Sequence, residues 1–193
     1  KPSGVGIEEV KKRYDIEFND YGICTYHPVT SEASEMGKQA LDLFETLKRS
    51  ERQFVTILPN NDPGHDKILQ VVEKLPKNQF RVIPSMRFSY FSELMKNSSV
   101  IVGNSSAGVR EAPFLGIPSL DIGSRQRARS AAVSVTNCQP HDRKKILWFL
   151  ENLWGNSYPR DESFGTGESA NKFLKILDSR EFWGNDIQKI FND

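Results

Sequence analysis

Cysteine is scarce. Only Cys24 and Cys138 occur in 193 residues, too few for a disulfide framework or a cysteine-based zinc site. No apolar run approaches the ~18–20 residues that a membrane-spanning helix needs. An excess of one charge is also missing: 26 Lys+Arg against 25 Asp+Glu leave a formal net charge of +1. That balance argues against bulk electrostatic binding to nucleic acid or to an anionic membrane. A lysine-bearing phosphate loop, a complete G-x-G-x-x-G and an H-E-x-x-H are all absent. The spacings support no Ser-His-Asp triad and no metal cluster, so neither a metal nor a cofactor is expected. Lys1-Pro2-Ser3-Gly4 has no initiator Met and no apolar signal segment, and reads like a linker entered from something upstream.

What is present describes an ordinary soluble globular protein, 37% hydrophobic and 26% charged with a mean hydropathy of −0.52. The length suits one domain, or a domain with a short extension. A reducing, cytoplasmic setting is the default expectation. Short apolar runs predict strands over 21–26, 54–58, 80–83, 100–102 and 119–122, with a sixth over 132–136. Helical spacing falls between them, over 7–14, 31–49, 66–75, 89–95, 106–114 and 144–153, and later over 169–177 and 187–191. Thr30 or Ser31 is the expected cap of the second helix. Strands and helices alternating in this way predict a parallel sheet covered on both faces, the doubly wound α/β architecture.

In such sheets ligands bind at the carboxyl ends of the strands, near the switch in strand order. His27, Asn60, Ser85-Met86, Gly103 to Ser106 and Gly123-Ser124-Arg125 fall at those ends. Gly103-Asn104-Ser105-Ser106-Ala107-Gly108 is the strongest local signal. A glycine turn opening a helix offers backbone donors and hydroxyls to a phosphate, although it also describes a capped helix start with no ligand. Glu111 follows within the first turns; it suits a pair of ligand hydroxyls, or complements the helix dipole at the surface. Arg125 can neutralise a diphosphate, but Arg110, Arg127 and Arg129 lie nearby and composition singles out none of them. His27 fits a proton donor, a phosphate contact or a structural histidine. Tyr90, Phe91, Trp148, Phe149, Trp154 and Trp183 read as core or interdomain contacts rather than a sugar platform.

Several stretches together resemble the UDP-N-acetylglucosamine 2-epimerase family. They are His27-Pro28-Val29-Thr30-Ser31-Glu32, Leu58-Pro59-Asn60, the block from Gly103 through Arg110-Glu111-Ala112-Pro113, and Gly116-Ile117-Pro118. Ile122-Gly123-Ser124-Arg125-Gln126-Arg127-Ala128-Arg129 looks like the hydrolysing branch, which makes N-acetylmannosamine for sialic acid. Gly165-Thr166-Gly167 is similar to the family's late glycine turn. Ala107 departs from a frequent Ser or Cys, and Thr166 and Glu168 stand where Asp and Asn are common, which leaves sugar specificity open.

The resemblance implies the carboxyl-terminal Rossmann-like half of a GT-B fold, the half that carries most of a UDP site. Residues 21–180 would form that domain. Residues 1–20 would be a linker and short helix from a missing amino-terminal domain, and 181–193 a terminal helix crossing to it. Ser105 and Ser106 would then hold phosphate, Glu111 the ribose hydroxyls and Arg125 the nucleotide. Asn60 would face nucleotide or sugar, the Met86 backbone the uracil, and His27 the phosphate side of the catalytic cleft. UDP and UDP-N-acetylglucosamine are the implied ligands, and family members are commonly homo-oligomers. The donor-binding domain of a GT-B UDP-sugar glycosyltransferase and a stand-alone UDP-binding module are the alternatives.

Overall fold

The computed structural model describes residues 4–184. These fall into two compact units, divided between Asp161 and Glu162. In the first, six parallel strands form one sheet in the order β3-β2-β1-β4-β5-β6. They are β1 (Gly22–Thr25), β2 (Phe54–Ile57), β3 (Phe80–Ile83), β4 (Val100–Gly103), β5 (Ser119–Ile122) and β6 (Val135–Cys138). The doubly wound α/β reading therefore holds. Strand side chains alternate between two apolar layers. Cys24, Val100, Val102, Leu120 and Ile122 pack beneath α2 (Met36–Arg49), α3 (His65–Val72) and α7 (Arg143–Asn152). Ile23, Val55 and Ile101 pack beneath α1 (Ile7–Tyr14), α4 (Phe88–Lys96), α5 (Ser106–Val109) and α6 (Glu111–Leu115).

Val10 of α1 is fully buried in the second layer and anchors that helix to this unit. Tyr90 and Phe91 pack against the second layer, Trp154 packs against the first and Phe149 lies inside it. Trp148 is half exposed. Among the described residues no helix is long and apolar enough to cross a membrane. The second unit holds α8 (Ser169–Leu177) and α9 (Arg180–Trp183), where the Trp183 indole N–H donates to the Leu177 carbonyl at 2.7 Å. The helix expected over 187–191 lies outside the described residues.

Three local expectations are corrected. The chain after β1 does not enter a helix at Thr30 or Ser31. Thr30–Glu32 is a separate 3-10 turn, closed by Glu32 N–H to Val29 C=O at 2.8 Å, and α2 begins at Met36. The helix expected over 106–114 breaks at Arg110 into α5 and α6. Pro113 explains this, because it has no N–H for the Val109 carbonyl and its ring crowds that position. β6 starts three residues later than expected, since Ala132 to Val135 is spent in a turn closed by Val135 N–H to Ala132 C=O.

β1 and β4 are the neighbours at which strand order reverses, and they approach closely at their carboxyl ends. Gly103 pairs with Thr25 at φ +130, and a Cβ there would sit 2.0 Å from the Thr25 carbonyl oxygen. Only glycine fits, and both geometry and backbone angle demand it. Gly103→Ala should therefore cost about 3 kcal/mol or more, or abolish folding. Urea unfolding followed by circular dichroism checks this; a variant as stable as the parent would show that the strands do not meet this way.

Candidate functional site

The polar residues at the carboxyl edge are organised by one side chain. Asn104 follows β4 directly and is fully buried. Its Nδ2 donates to the His27 carbonyl at 2.8 Å, and its Oδ1 accepts from the His27 N–H at 2.7 Å. Its own N–H donates to the Thr25 carbonyl at 3.0 Å. The amide thus acts as a short extra rung between the β1 and β4 loops, closing the crevice where the sheet switches direction. Its carbonyl oxygen accepts from Arg125 Nη1 at 3.1 Å and from Gln126 Nε2 at 3.2 Å, which brings in the loop after β5. Three connections are stitched together at one residue.

His27 is half-buried on the β1 connection. Its Nδ1 accepts from the Asn60 N–H at 3.2 Å, so the neutral ring carries its proton on Nε2. Burial pulls its pKa below the ordinary value, and the Arg125 charge pulls in the same direction. The ring is therefore a neutral donor near pH 7. The Asn60 side-chain amide donates to Asp62, so the contact Asn60 makes to this group is through its backbone.

Ser105 caps α5, accepting from the Ala107 N–H at 3.4 Å, which leaves its hydroxyl proton free to be donated to a ligand. Because α5 is only four residues long, the donors offered here are local groups rather than the end of a long helix dipole. Ser106 is half-buried at the first position of α5, and Glu111 opens α6. One carboxylate oxygen of Glu111, Oε2, is buried with no hydrogen-bond partner. Such an oxygen is costly unless hydroxyl or amide donors reach it. Met86 lies on the loop after β3, three strands from β4 and roughly 14 Å away at the usual ~4.8 Å strand spacing. Its side chain packs against the second apolar layer.

Hydrogen bonds thus join His27, Asn60 and Arg125, with Ser105, Ser106 and Glu111 on the adjoining β4 connection. Met86 lies apart on the same edge. Structure also separates the arginines: Arg125 is half-buried and bonded to Asn104, whereas Arg110, Arg127 and Arg129 are exposed. Sequence reasoning gave no role to Asn104, although an Asn directly after a strand-ending glycine was a usable signal. Gln126, 2% exposed and accepting from Arg129 Nη1 at 3.0 Å, left no such signal. Burial raises the pKa of both thiols, that of Cys138 to about 12, so neither is a nucleophile at neutral pH.

Fold and site together define a doubly wound α/β domain whose polar groups gather at the switch point of its sheet. The chain belongs to the UDP-N-acetylglucosamine 2-epimerase family, whose sequence model matches residues 5–178. It is 37% identical over 191 residues to a UDP-N-acetylglucosamine 2-epimerase of Neisseria meningitidis serogroup B, covering 97% of this chain and 50% of that protein. A UDP-N,N'-diacetylbacillosamine 2-epimerase (hydrolyzing) of Legionella pneumophila is 29% identical over 161 residues, covering 82% of this chain and 43% of that one. The Methanocaldococcus jannaschii UDP-GlcNAc 2-epimerase, solved with UDP-GlcNAc and UDP, shares the fold. Its TM-score is 0.70 at 18% identity, over 89% of this chain and 48% of that one. The chain spans about half the length of the curated relatives it matches.

Two outcomes follow from the site itself. Asn104→Ala leaves the His27 N–H and C=O without their partner, at about 1–3 kcal/mol for each buried group, and urea midpoints read the loss. An unchanged midpoint would contradict the bridging role. The second concerns pH. His27 has a folded pKa below its unfolded value of about 6.5. Its contribution to stability is therefore complete above pH 6.5 and is lost as pH falls toward the folded pKa. His27→Gln should lose less stability than the parent as pH falls below about 6.5; parallel thermal melts with identical pH slopes would refute this.

Proposed function

We propose that this chain is the UDP-binding portion of a hydrolysing UDP-N-acetylglucosamine 2-epimerase, the carboxyl-terminal half of a GT-B fold. One observation carries the reading: the Asn104-centred convergence of the β1, β4 and β5 connections. It sets the His27 Nε2–H, the Ser105 hydroxyl and the Arg125 guanidinium along one edge. That set suits a diphosphate, with a planar guanidinium for its charge and neutral donors for its remaining oxygens. The buried, unpartnered Glu111 oxygen suits the ribose hydroxyls. The Met86 backbone, three strands away, suits the uracil at the far end of an extended nucleotide. Asn60 fixes His27 from behind, and Ser106 adds a second hydroxyl beside Ser105.

In the proposed reaction UDP-N-acetylglucosamine loses UDP by elimination to a glycal-like intermediate, and water then adds to give N-acetylmannosamine. The His27 Nε2–H and Arg125 stabilise charge on the departing diphosphate. The carboxylates that move the sugar-ring protons are assigned to residues outside this chain. The isolated chain then binds UDP without turning over its sugar nucleotide. The hydrolysing mode draws support from the arginine-bearing loop at 122–129 and from the name of the Legionella relative.

Calorimetric titration of the chain with UDP, with CMP and free N-acetylglucosamine as controls, tests the reading. UDP should bind selectively, and Arg125→Ala and Glu111→Ala should each weaken it by about 10- to 100-fold. A folded chain indifferent to UDP, or one whose binding ignores both substitutions, would sink the assignment. In an enzyme that includes the remaining half, free N-acetylmannosamine with released UDP supports hydrolysis; an epimerised sugar still carried on UDP overturns that mode.

A further inference from the structure

One carboxylate at the site edge is not used by the proposed chemistry. Glu32 ends the 3-10 turn after β1, and both of its oxygens are engaged by neutral donors. Oε2 accepts from Gln39 Nε2 at 2.9 Å, and Oε1 accepts from the Ser124 hydroxyl. Gln39 is fixed in turn by the buried Tyr26, whose hydroxyl donates to its Oε1 at 2.8 Å. A continuous chain therefore runs from the end of β1 through α2 and the 3-10 turn to Ser124, the residue before Arg125. The two donors hold the Glu32 carboxyl below its ordinary pKa, so it is ionised at neutral pH. No cation pairs with it in this chain of contacts.

A carboxylate beside a site built for an anion opposes the ligand's charge, so its presence there calls for another role. The loop that Ser124 opens needs restraint. Ala128 sits in the left-handed region at φ 59, which costs a non-glycine residue about 1 kcal/mol or more and persists only where the surroundings enforce it. Within the loop, the Arg127 N–H donates to the Ser124 carbonyl at 3.1 Å, and the Arg129 N–H donates to the Gln126 carbonyl at 3.1 Å. Gln126 and Arg125 tie its middle to Asn104. The Gly123 N–H donates to the Cys138 carbonyl at 2.8 Å and ties its root to β6. The Ser124–Glu32 contact ties the loop instead to the β1 side of the switch point, the side that carries His27.

We propose that Glu32 is a positioning residue: through Ser124 it latches the Arg125 loop to the β1 connection and so sets the guanidinium opposite His27. This role in ligand binding rests on the nucleotide-site reading above. The latch itself does not. It acts by geometry rather than by charge, and that separates its variants. In Glu32→Gln the side-chain oxygen still accepts from Ser124. Its amide can donate to Gln39 after that residue turns over, with Tyr26 then accepting.

Hydrogen exchange read by mass spectrometry and UDP calorimetry on the same proteins test the proposal. Amides over residues 123–129 should exchange about 10-fold faster in Glu32→Ala and in Ser124→Ala, but at the parental rate in Glu32→Gln. UDP affinity should fall about 5- to 10-fold in each alanine variant, no further in the double variant, and less than about twofold in Glu32→Gln. Unchanged exchange in both alanine variants overturns the latch. Tighter UDP binding by Glu32→Ala and Glu32→Gln alike overturns it in favour of simple charge repulsion. Should Glu32→Ala fail to fold, Ser124→Ala, altered at an exposed hydroxyl, carries the test alone. A parent that exchanges as expected but ignores UDP would instead count against the nucleotide reading.

Discussion

The Asn104 side-chain amide, bonded through both of its polar atoms to the His27 backbone, is the contact on which the rest of the edge depends. At the switch point of a doubly wound sheet the loops on either side diverge, and nothing in the strand ladder itself holds them together. Asn104 supplies that link from inside the protein, where water cannot compete for its donors and acceptors. The approach is so close because Gly103 has no side chain to hold β1 and β4 apart. The Asn104 carbonyl then serves as the acceptor that orients Arg125 and Gln126. A single buried amide thereby fixes the backbone of one candidate ligand group and the side chain of another.

The electrostatics at the edge follow from that arrangement. Burial keeps the His27 ring neutral, with the Arg125 charge acting in the same direction, and the Asn60 N–H directs its proton to Nε2. A neutral donor and a permanent cation therefore stand close together at the switch point. Asp121 shows the same logic from the opposite direction. It is buried on β5, held by Asn137 Nδ2 at 2.7 Å, and burial raises its pKa. Burial acts on both groups in the same sense, favouring the uncharged form.

Much of this was legible before any coordinates. Strand spans such as 80–83 and 119–122 were read to the residue, because buried parallel strands are short apolar runs bounded by breakers. His27, Asn60, Ser105, Ser106, Glu111 and Arg125 stood out because turn chemistry at strand ends is local. Errors fell where a local signal competed with a tertiary one. The hydroxyls of Thr30 and Ser31 are good caps, yet Glu32 is drawn to Ser124, more than ninety positions away, and the chain makes a 3-10 turn instead. Apolar spacing over 106–114 favours one helix, yet Pro113 cannot donate to Val109 and two are found.

The sequence by itself determined the alternation of strand and helix, the apolar layers and the family, since periodicity and motif spacing are properties of neighbours along the chain. Only the tertiary structure decided which arginine of four faces the switch point, that His27 is neutral with its proton on Nε2, and that Asn104 and Glu32 hold the loops in place. Those outcomes depend on groups brought together from distant parts of the chain. Burial and hydrogen-bond geometry, unlike helical or strand propensity, have no values until the chain has folded.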